Sequence, residues 1–461
     1  MSDPLEALLA ALVARLPAGT VAVGADVGAR HQCDWTGRGP CLPPAVIRPR
    51  TTEEVSIALG LCHAAGQPVV VQGGLTGLAG GATPRPGEIA LSLERLVGVE
   101  EVDPAGGTMR VLSGTPLAVV QEAAEAHGLE FPLDLGARGS CTIGGNISTN
   151  AGGNRVIRYG MTRALVLGLE AVLADGTIVS SLNAMLKNNA GYDLKQLFIG
   201  TEGTLGVVTR AVLRLYPLPG EKLTAFVAVD SFAAMTRLLS AARAALGGQL
   251  GSFEAMWSDY YEFATGQLGI TNRPFAARHA YYVLIEVEAL DPGHDAARLE
   301  QLLERLVEEG VAADAVVARS LEESARLWRV RDAAGELMIR LPNLVAFDIS
   351  LPIPRMERYV EEMRVRGAPY LGEHPAYVFG HLGDGNLHIV ASLTGYQHLH
   401  AYDEAVYGAL AGFGSVSAEH GIGVLKREWL HMSRQPEEIA LMRTLKKTLD
   451  PKGILNPGRV A

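Results

Sequence analysis

From Phe131 to Gly160 the chain reads FPLDLGARGSCTIGGNISTNAGGNRVIRYG, with seven glycines, three asparagines and no hydrophobic period. A loop this long inside a compact domain is uncommon and usually functional. Glycine and asparagine tolerate left-handed backbone, so the segment can expose a dense array of amides and hydroxyls. Such a surface suits a large polar cofactor lying against backbone. Regular elements must be sought on either side of it.

Upstream, RPRTTEEVSIALGLCHAAGQPVVVQGGLTGLAGGATP opens with a capping box from Thr51 to Glu54 and continues as an apolar-periodic helix. A short strand, Val69 to Val71, then runs straight into glycines. Gly73, Gly74 and Gly77 let backbone N–H groups approach an anion closely, which predicts a phosphate cradle. A glycine-rich surface loop is the alternative for this stretch taken alone. The Rossmann dinucleotide fold is excluded. The spacing is not GxGxxG, and Pro84 and Pro86 lead into another strand, EIALSL, instead of a helix.

Downstream, LVLGLEAVLADGTIVSS reads as a hairpin with an Asp-Gly turn, and NNAGYDLKQLFIGTEGTLGVVTRAVLRLYPLP as a short helix, a Glu-Gly-Thr loop and a strand. The proline-rich YPLPG, 216–220, marks a domain boundary. Beyond it, LTAFVAV, YYVLIEVE, LVAFDISLP and a histidine-bearing hairpin alternate with the helices SFAAMTRLLSAARAAL, DAARLEQLLERLVEEG and SLEESARLWRVRDAAGELMI. Hairpins and short crossovers predict an antiparallel sheet covered by helices on one face. The last stretch, from 424, is helical and ends in an extended tail, LDPKGILNPGRV. The chain thus divides into 1–218, 219–415 and a C-terminal segment 416–461, an α+β architecture throughout.

The 461 residues are 48% hydrophobic and 20% charged, which is globular composition. A net charge of −10 with no basic run excludes nucleic acid as a partner. Cys33, Cys41, Cys62 and Cys141 form no CxxC pair, so an iron–sulfur cluster or disulfide framework is not expected, and a reducing, cytoplasmic location fits. The N-terminal MSDPLEALLAALVARLPAG is an amphipathic helix without a basic n-region. No apolar run of about twenty residues predicts a membrane span.

YVFGHLGDGNLHIVASL, 377–393, sets His381 and His388 around a turn containing Gly383, Asp384 and Gly385. Asp-Gly favours a tight turn, and the apolar, β-branched flanks make a hairpin with both rings near its mouth. Two imidazoles could ligate a metal or simply flank a turn; a third donor decides. GSVSAEHGIGVLKRE, 414–428, offers one in Glu419, with His420 adjacent and glycines suggesting a turn into a helix. A carboxylate and two imidazoles suit zinc, manganese or iron.

In order, QGGLTGLAGG, PLDLGARGSCTIGGNISTNAGG, GYDLKQLFIGTEGTLG, GHLGDGNLH, SAEHGIG and DPKGILNPG resemble the FAD-dependent D-2-hydroxyacid dehydrogenases. The subgroup it most resembles is the D-2-hydroxyglutarate and D-lactate dehydrogenases, which share the flavin fold of vanillyl-alcohol oxidase and p-cresol methylhydroxylase. The likeness spans roughly residues 40 to 458. It implies a two-subdomain FAD-binding region up to about 218, completed by the C-terminal tail, and a substrate cap over 219–415. Matching cofactor positions are Gly73, Gly74, Leu75, Thr76 and Gly77 for the pyrophosphate. Around the rest of the cofactor fall Pro132, Gly144, Gly145, Asn150, Gly152 and Gly153, with Glu202, Gly203, Val208 and Asn456 on later motifs. QGGLTGLAGG has no histidine for a covalent flavin link, so the FAD is expected to be non-covalent.

The same resemblance makes His381, His388 and Glu419 ligands of a divalent metal, zinc first and manganese or iron as alternatives, with His420 as catalytic base and Arg331 holding the substrate carboxylate. The implied substrate is a small 2-hydroxy acid. The electron acceptor is open among an electron-transferring flavoprotein, a quinone and a cytochrome, and a homodimer is the prior expectation. Three positions depart from the D-2-hydroxyglutarate enzymes. Where those carry a threonine, a lysine and an asparagine for a second carboxylate, this chain has Gly335, Ala346 and Val390. The departure predicts a monocarboxylic substrate such as D-lactate, with D-2-hydroxyglutarate as the alternative and a non-redox flavoprotein of the same fold as the rival of another class.

Overall fold

The structure is a computed structural model describing residues 4–267 and 273–461. The chain forms two compact units. One comprises residues up to Gly153, Gly160–Leu218 and Glu419–Ala461; the other comprises Asn154–Tyr159 and Pro219–Ala418.

The first unit holds two main sheets. A four-stranded sheet runs in the order Val21–Val23, Ala45–Ile47, Ile89–Ser92, Val69–Gln72; its first pair is antiparallel and the others are parallel. A five-stranded antiparallel sheet runs Val99–Asp103, Thr108–Leu112, Val207–Arg214, Val166–Val172, Ile178–Ser181. The helix Thr52–Ala65 starts where expected, with the Thr51 hydroxyl accepting the Glu54 N–H. The reciprocal arm is shifted by one, since the Glu54 carboxylate accepts from Arg50 N–H at 2.8 Å. Its Val55, Leu59 and Cys62 are buried with Leu8, Leu12, Ile89 and Leu455 in one core. Each such side chain contributes about 1.5–3 kcal/mol of burial. The tail returns to this sheet. Val69 N–H donates to Ile454, Asn456 N–H to Val69, and Val71 N–H to Asn456 Oδ1 at 2.7 Å, so residue 456 fixes the strand that feeds the first glycine loop.

The 131–160 stretch is more regular than its sequence suggests. It contains a helix, Ile143–Thr149, and a single turn, Val156–Tyr159. The helix is too short to display a period. Its buried residues are Ile143, Gly144, Asn146 and Ile147, and the backbone docks directly, with Gly144 N–H donating to Ser113 at 2.7 Å. A Cβ on Gly144 would come within 2.6 Å of Ser113 Cβ.

The second unit is built on a seven-stranded antiparallel sheet in the order Asp314–Val317, Glu221–Val229, Tyr281–Ala289, Leu250–Trp257, Tyr377–His381, Asn386–Ser392, Leu344–Ser350. Leu250–Trp257 and Asp314–Val317 were not expected as strands. LGSFEAMW lacks alternation because all eight of its residues are buried. For the same reason helices cover both faces and not one. Phe226, Met256, Tyr282 and Phe379 share a core with Leu327, Val330 and Leu337. On the opposite side Phe347 meets Tyr402 and Tyr407 with ring centroids 5.7 and 5.4 Å apart. The histidine hairpin forms as predicted, closed by Leu382–Asp384 and by Gly385 at φ +87°. None of the described helices is long and apolar enough to cross a membrane.

Candidate active site

Between the glycine segments of the first unit lies a cavity of about 350 Å³. Its walls include Gly73, Gly74, Leu75, Thr76 and Gly77 from the first loop and Gly144, Gly145 and Gly152 from the second. Glu202, Gly203, Val208 and Asn456 line it from later in the chain, as do Glu419 and His420. Pro132, Asn150 and Gly153 do not line it. Asn150 sits at φ +51°, caps the helix Ile143–Thr149, and accepts Arg163 N–H on its side chain. Gly153 is held by packing, since a Cβ there would lie 2.1 Å from the Asp134 carbonyl.

The cradle fits a flavin dinucleotide on two grounds. Bare backbone is enforced, because a Cβ on Gly74 would lie 2.0 Å from the Ser140 carbonyl and one on Gly73 2.7 Å from Thr142 Oγ1. The walls also offer polar atoms: Asp34 Oδ2 and Thr142 Oγ1 are buried and have no hydrogen-bond partner among the described residues. Neither residue was anticipated. Asp34 lies in a segment without a motif, and the Thr142 position follows from the helix that the sequence concealed.

Glu202 is more than a lining residue. Its carboxylate accepts from Ile422 N–H and Gly423 N–H, so it anchors the loop that carries Glu419 and His420. Burial pushes its carboxyl above the ordinary range, against the opposing pull of those two N–H groups and of Lys426 and Arg459. The loop itself is irregular, and the first helical residues come only at Arg427, so the expected turn directly into a helix is not formed. Gly153 N–H donates to Glu419 Oε1 at 2.7 Å.

In the second unit the hairpin rings of His381 and His388 stand edge to face with centroids 5.2 Å apart. His381 Nδ1 is 2.7 Å from Glu254 Oε1, and Arg331 Nε donates to Glu254 Oε2 at 2.8 Å. Burial alone would raise the Glu254 carboxyl, but His381 and Arg331 outweigh it and hold the group down at about 2. Arg331, on the helix Leu321–Asp332, is itself buried, with its guanidinium 5.5 Å from the centre of the Phe379 ring. An imidazole pair, one ring backed by a buried carboxylate, is a donor set that fits a divalent metal. Glu254 was missed because the strand bearing it was missed. A lone acid in LGSFEAMW was the available signal.

Ala346 and Val390 are cross-strand partners beside the Asp348–His388 pair, on one face of the sheet. Val390 is buried in the apolar core and Ala346 is exposed; Gly335 is exposed on the helix Ala334–Arg340.

A nucleotide-sized cradle without Rossmann topology, together with an antiparallel sheet bearing paired histidines, defines a flavoprotein of the vanillyl-alcohol oxidase and p-cresol methylhydroxylase type. Residues 43–181 match the FAD binding domain, and residues 218–460 match the C-terminal domain of the FAD linked oxidases. Among curated relatives, the D-2-hydroxyglutarate dehydrogenase of Bos taurus is 42% identical over 92% of this chain and 78% of its own length. That of Xanthomonas citri is 40% identical over 93% and 91%. A putative D-lactate dehydrogenase of Schizosaccharomyces pombe is 36% identical over 92% and 83%. Among solved structures, p-cresol methylhydroxylase shares the fold at a TM-score of 0.76 and 15% identity, covering 100% of this chain and 97% of that one. The chain belongs to the FAD-dependent D-2-hydroxyacid dehydrogenases, oxidoreductases acting on a CH–OH group.

Proposed function

We propose that this dehydrogenase converts D-2-hydroxyglutarate to the 2-oxo acid with the help of a divalent metal. The carrying observation is the 40–42% identity, over nearly the whole chain, to D-2-hydroxyglutarate dehydrogenases. This favours the dicarboxylic alternative over the monocarboxylic expectation. One observation supports the second reading, a monocarboxylic acid such as D-lactate: Ala346 and Val390 put two apolar side chains beside the Asp348–His388 pair.

Bound FAD supplies the hydride acceptor at flavin N5. A divalent metal, zinc by preference, supplies a Lewis acid that lowers the pKa of the substrate hydroxyl. His381, His388 and Glu419 are its proposed ligands, on the chemistry of the donors and the motif resemblance. His420 accepts the hydroxyl proton as general base. Arg331 binds the substrate carboxylate through its guanidinium fork, which fixes the orientation of the C2–H bond. An electron-transferring flavoprotein, a quinone or a cytochrome would take up the two electrons that bound FAD would supply. The free cysteines fit a reducing location such as the cytoplasm.

The test is anaerobic flavin bleaching, followed by kcat/KM for D-2-hydroxyglutarate, D-malate, D-2-hydroxybutyrate and D-lactate with an artificial acceptor. D-2-Hydroxyglutarate is expected to lead. Leadership by D-lactate establishes the second reading, and no bleaching by any of them in metal-loaded protein refutes both.

A further inference from the structure

Glu254 is an anomaly of its own strand. Every residue of Leu250–Trp257 is buried, and Glu254 is only 1% exposed. An ionised carboxylate persists there only if both oxygens are well partnered. Among the described residues each has one partner. Oε1 faces His381 Nδ1 at 2.7 Å and Oε2 accepts from Arg331 Nε at 2.8 Å. The contact with His381 follows from sheet register, which sets Glu254 directly opposite His381 on the adjacent strand.

These contacts fix the tautomer of His381. A carboxylate can only accept and a guanidinium can only donate. Nδ1 therefore carries the proton toward Glu254, and Nε2 presents a lone pair, the atom that Arg331 Nη2 approaches to 3.3 Å. Nε2 is thus the nitrogen prepared for a metal, and the carboxylate on the far side of the ring raises its basicity. The other oxygen of Glu254 pins the guanidinium at Nε, while Tyr260 O–H donates to the Arg331 carbonyl at 2.5 Å and fixes the same residue at its backbone. His388 is held differently. Asp348 Oδ1 lies 3.8 Å from its Nδ1, and the Asp348 carboxylate is engaged by Asn386 Nδ2 at 2.8 Å and by Ala418 N–H at 3.1 Å.

We infer that Glu254 is a positioning residue that orients His381 Nε2 for metal binding and, through its second oxygen, sets the guanidinium plane of Arg331 for the substrate carboxylate. The inference rests on the proposed roles of His381 and Arg331. One side chain then governs both metal affinity and carboxylate recognition.

The test uses flavin-loaded protein stripped of metal by a chelator, with Zn2+ affinity read by competition against a chromophoric chelator. Glu254→Gln keeps the volume but accepts only one of the two donors and turns an amide N–H toward the other. Its zinc affinity is expected to fall about 10- to 100-fold, the usual cost of losing a carboxylate behind a ligating histidine. His381→Ala checks the underlying reading, because unchanged zinc affinity in that variant shows that His381 is not a ligand. If His381→Ala loses zinc while Glu254→Gln stays within twofold of wild type, the inference is overturned and the reading stands. Arg331→Gln with and without Glu254→Gln guards against misfolding, since no buried guanidinium is then left uncompensated. Persistence of the zinc loss in that background supports the tautomer role; its disappearance overturns that role.

Discussion

Glu202 holds Gly423: the carboxylate of one accepts the backbone N–H of the other at 2.9 Å, and that of neighbouring Ile422 at 2.7 Å. Two hundred and twenty-one residues separate the pair in sequence. The bond ties the segment bearing Glu419 and His420 to the wall of the cofactor cavity.

Glu202→Ala leaves two part-buried donors without this partner, at up to about 1–3 kcal/mol each. The expected result is a lower unfolding temperature and at least about tenfold slower flavin reduction, because His420, the proposed general base, loses its support. Calorimetry and stopped-flow reduction check it. Wild-type reduction would show that the loop holds its shape without this anchor.

Two glycines of the first loop, Gly74 and Gly77, should behave differently. Gly74→Ala forces a Cβ to within 2.0 Å of the Ser140 carbonyl, so the apoprotein itself is destabilised. At Gly77 a Cβ would meet only Asp34 Oδ2 at an ordinary 3.6 Å. Gly77→Ala should therefore leave the apoprotein unfolding temperature unchanged while weakening FAD. A loss of stability without FAD in Gly77→Ala would count against a cofactor role for that position.

His420→Ala should retain FAD and metal yet lose flavin reduction about a hundredfold or more, the cost of removing a general base. His388→Ala should lose metal and activity together. Elemental analysis beside the absorbance spectrum separates the two, and full metal in His388→Ala would contradict its ligand role. Chelation of the wild type should give a yellow, inactive protein that zinc restores.

Acid stability should carry the mark of Glu254. Its folded carboxyl sits at about 2, below the ordinary 4.5, because His381 and Arg331 outweigh the burial penalty. A depressed pKa means that the native state releases the proton more readily than the unfolded chain. The stabilisation is present above the ordinary value and is lost as pH falls from there toward 2. Glu254→Gln should flatten that part of the acid-unfolding curve. An unchanged slope would show that the pair contributes nothing there.

Restoring the missing polar groups should shift specificity. Ala346→Lys with Val390→Asn is expected to raise kcat/KM for D-2-hydroxyglutarate relative to D-lactate, about tenfold or more if a cation then meets the second carboxylate. An unchanged ratio would place the distal carboxylate elsewhere.

The sequence by itself determined what is local. Glycine spacing excluded the Rossmann fold, and Asp384-Gly385 with β-branched flanks gave the hairpin, because turn dihedrals and a period of two are properties of neighbouring residues. The ordered motifs gave the family and part of the cradle's lining, while Pro132, Asn150 and Gly153 fall outside the cavity wall and Asp34 and Thr142 came only with the structure. The tertiary structure alone decided which distant groups meet. The helix Ile143–Thr149 shows too little period to be read, and a strand buried on both faces, such as Leu250–Trp257, shows no alternation. Sheet register then set Glu254 beside His381, 127 residues away, and the tail set Asn456 on Val71, 385 residues away. Pairings of that kind are fixed by the packing of both sheet faces and by the need to satisfy buried polar groups, and no window of sequence contains either.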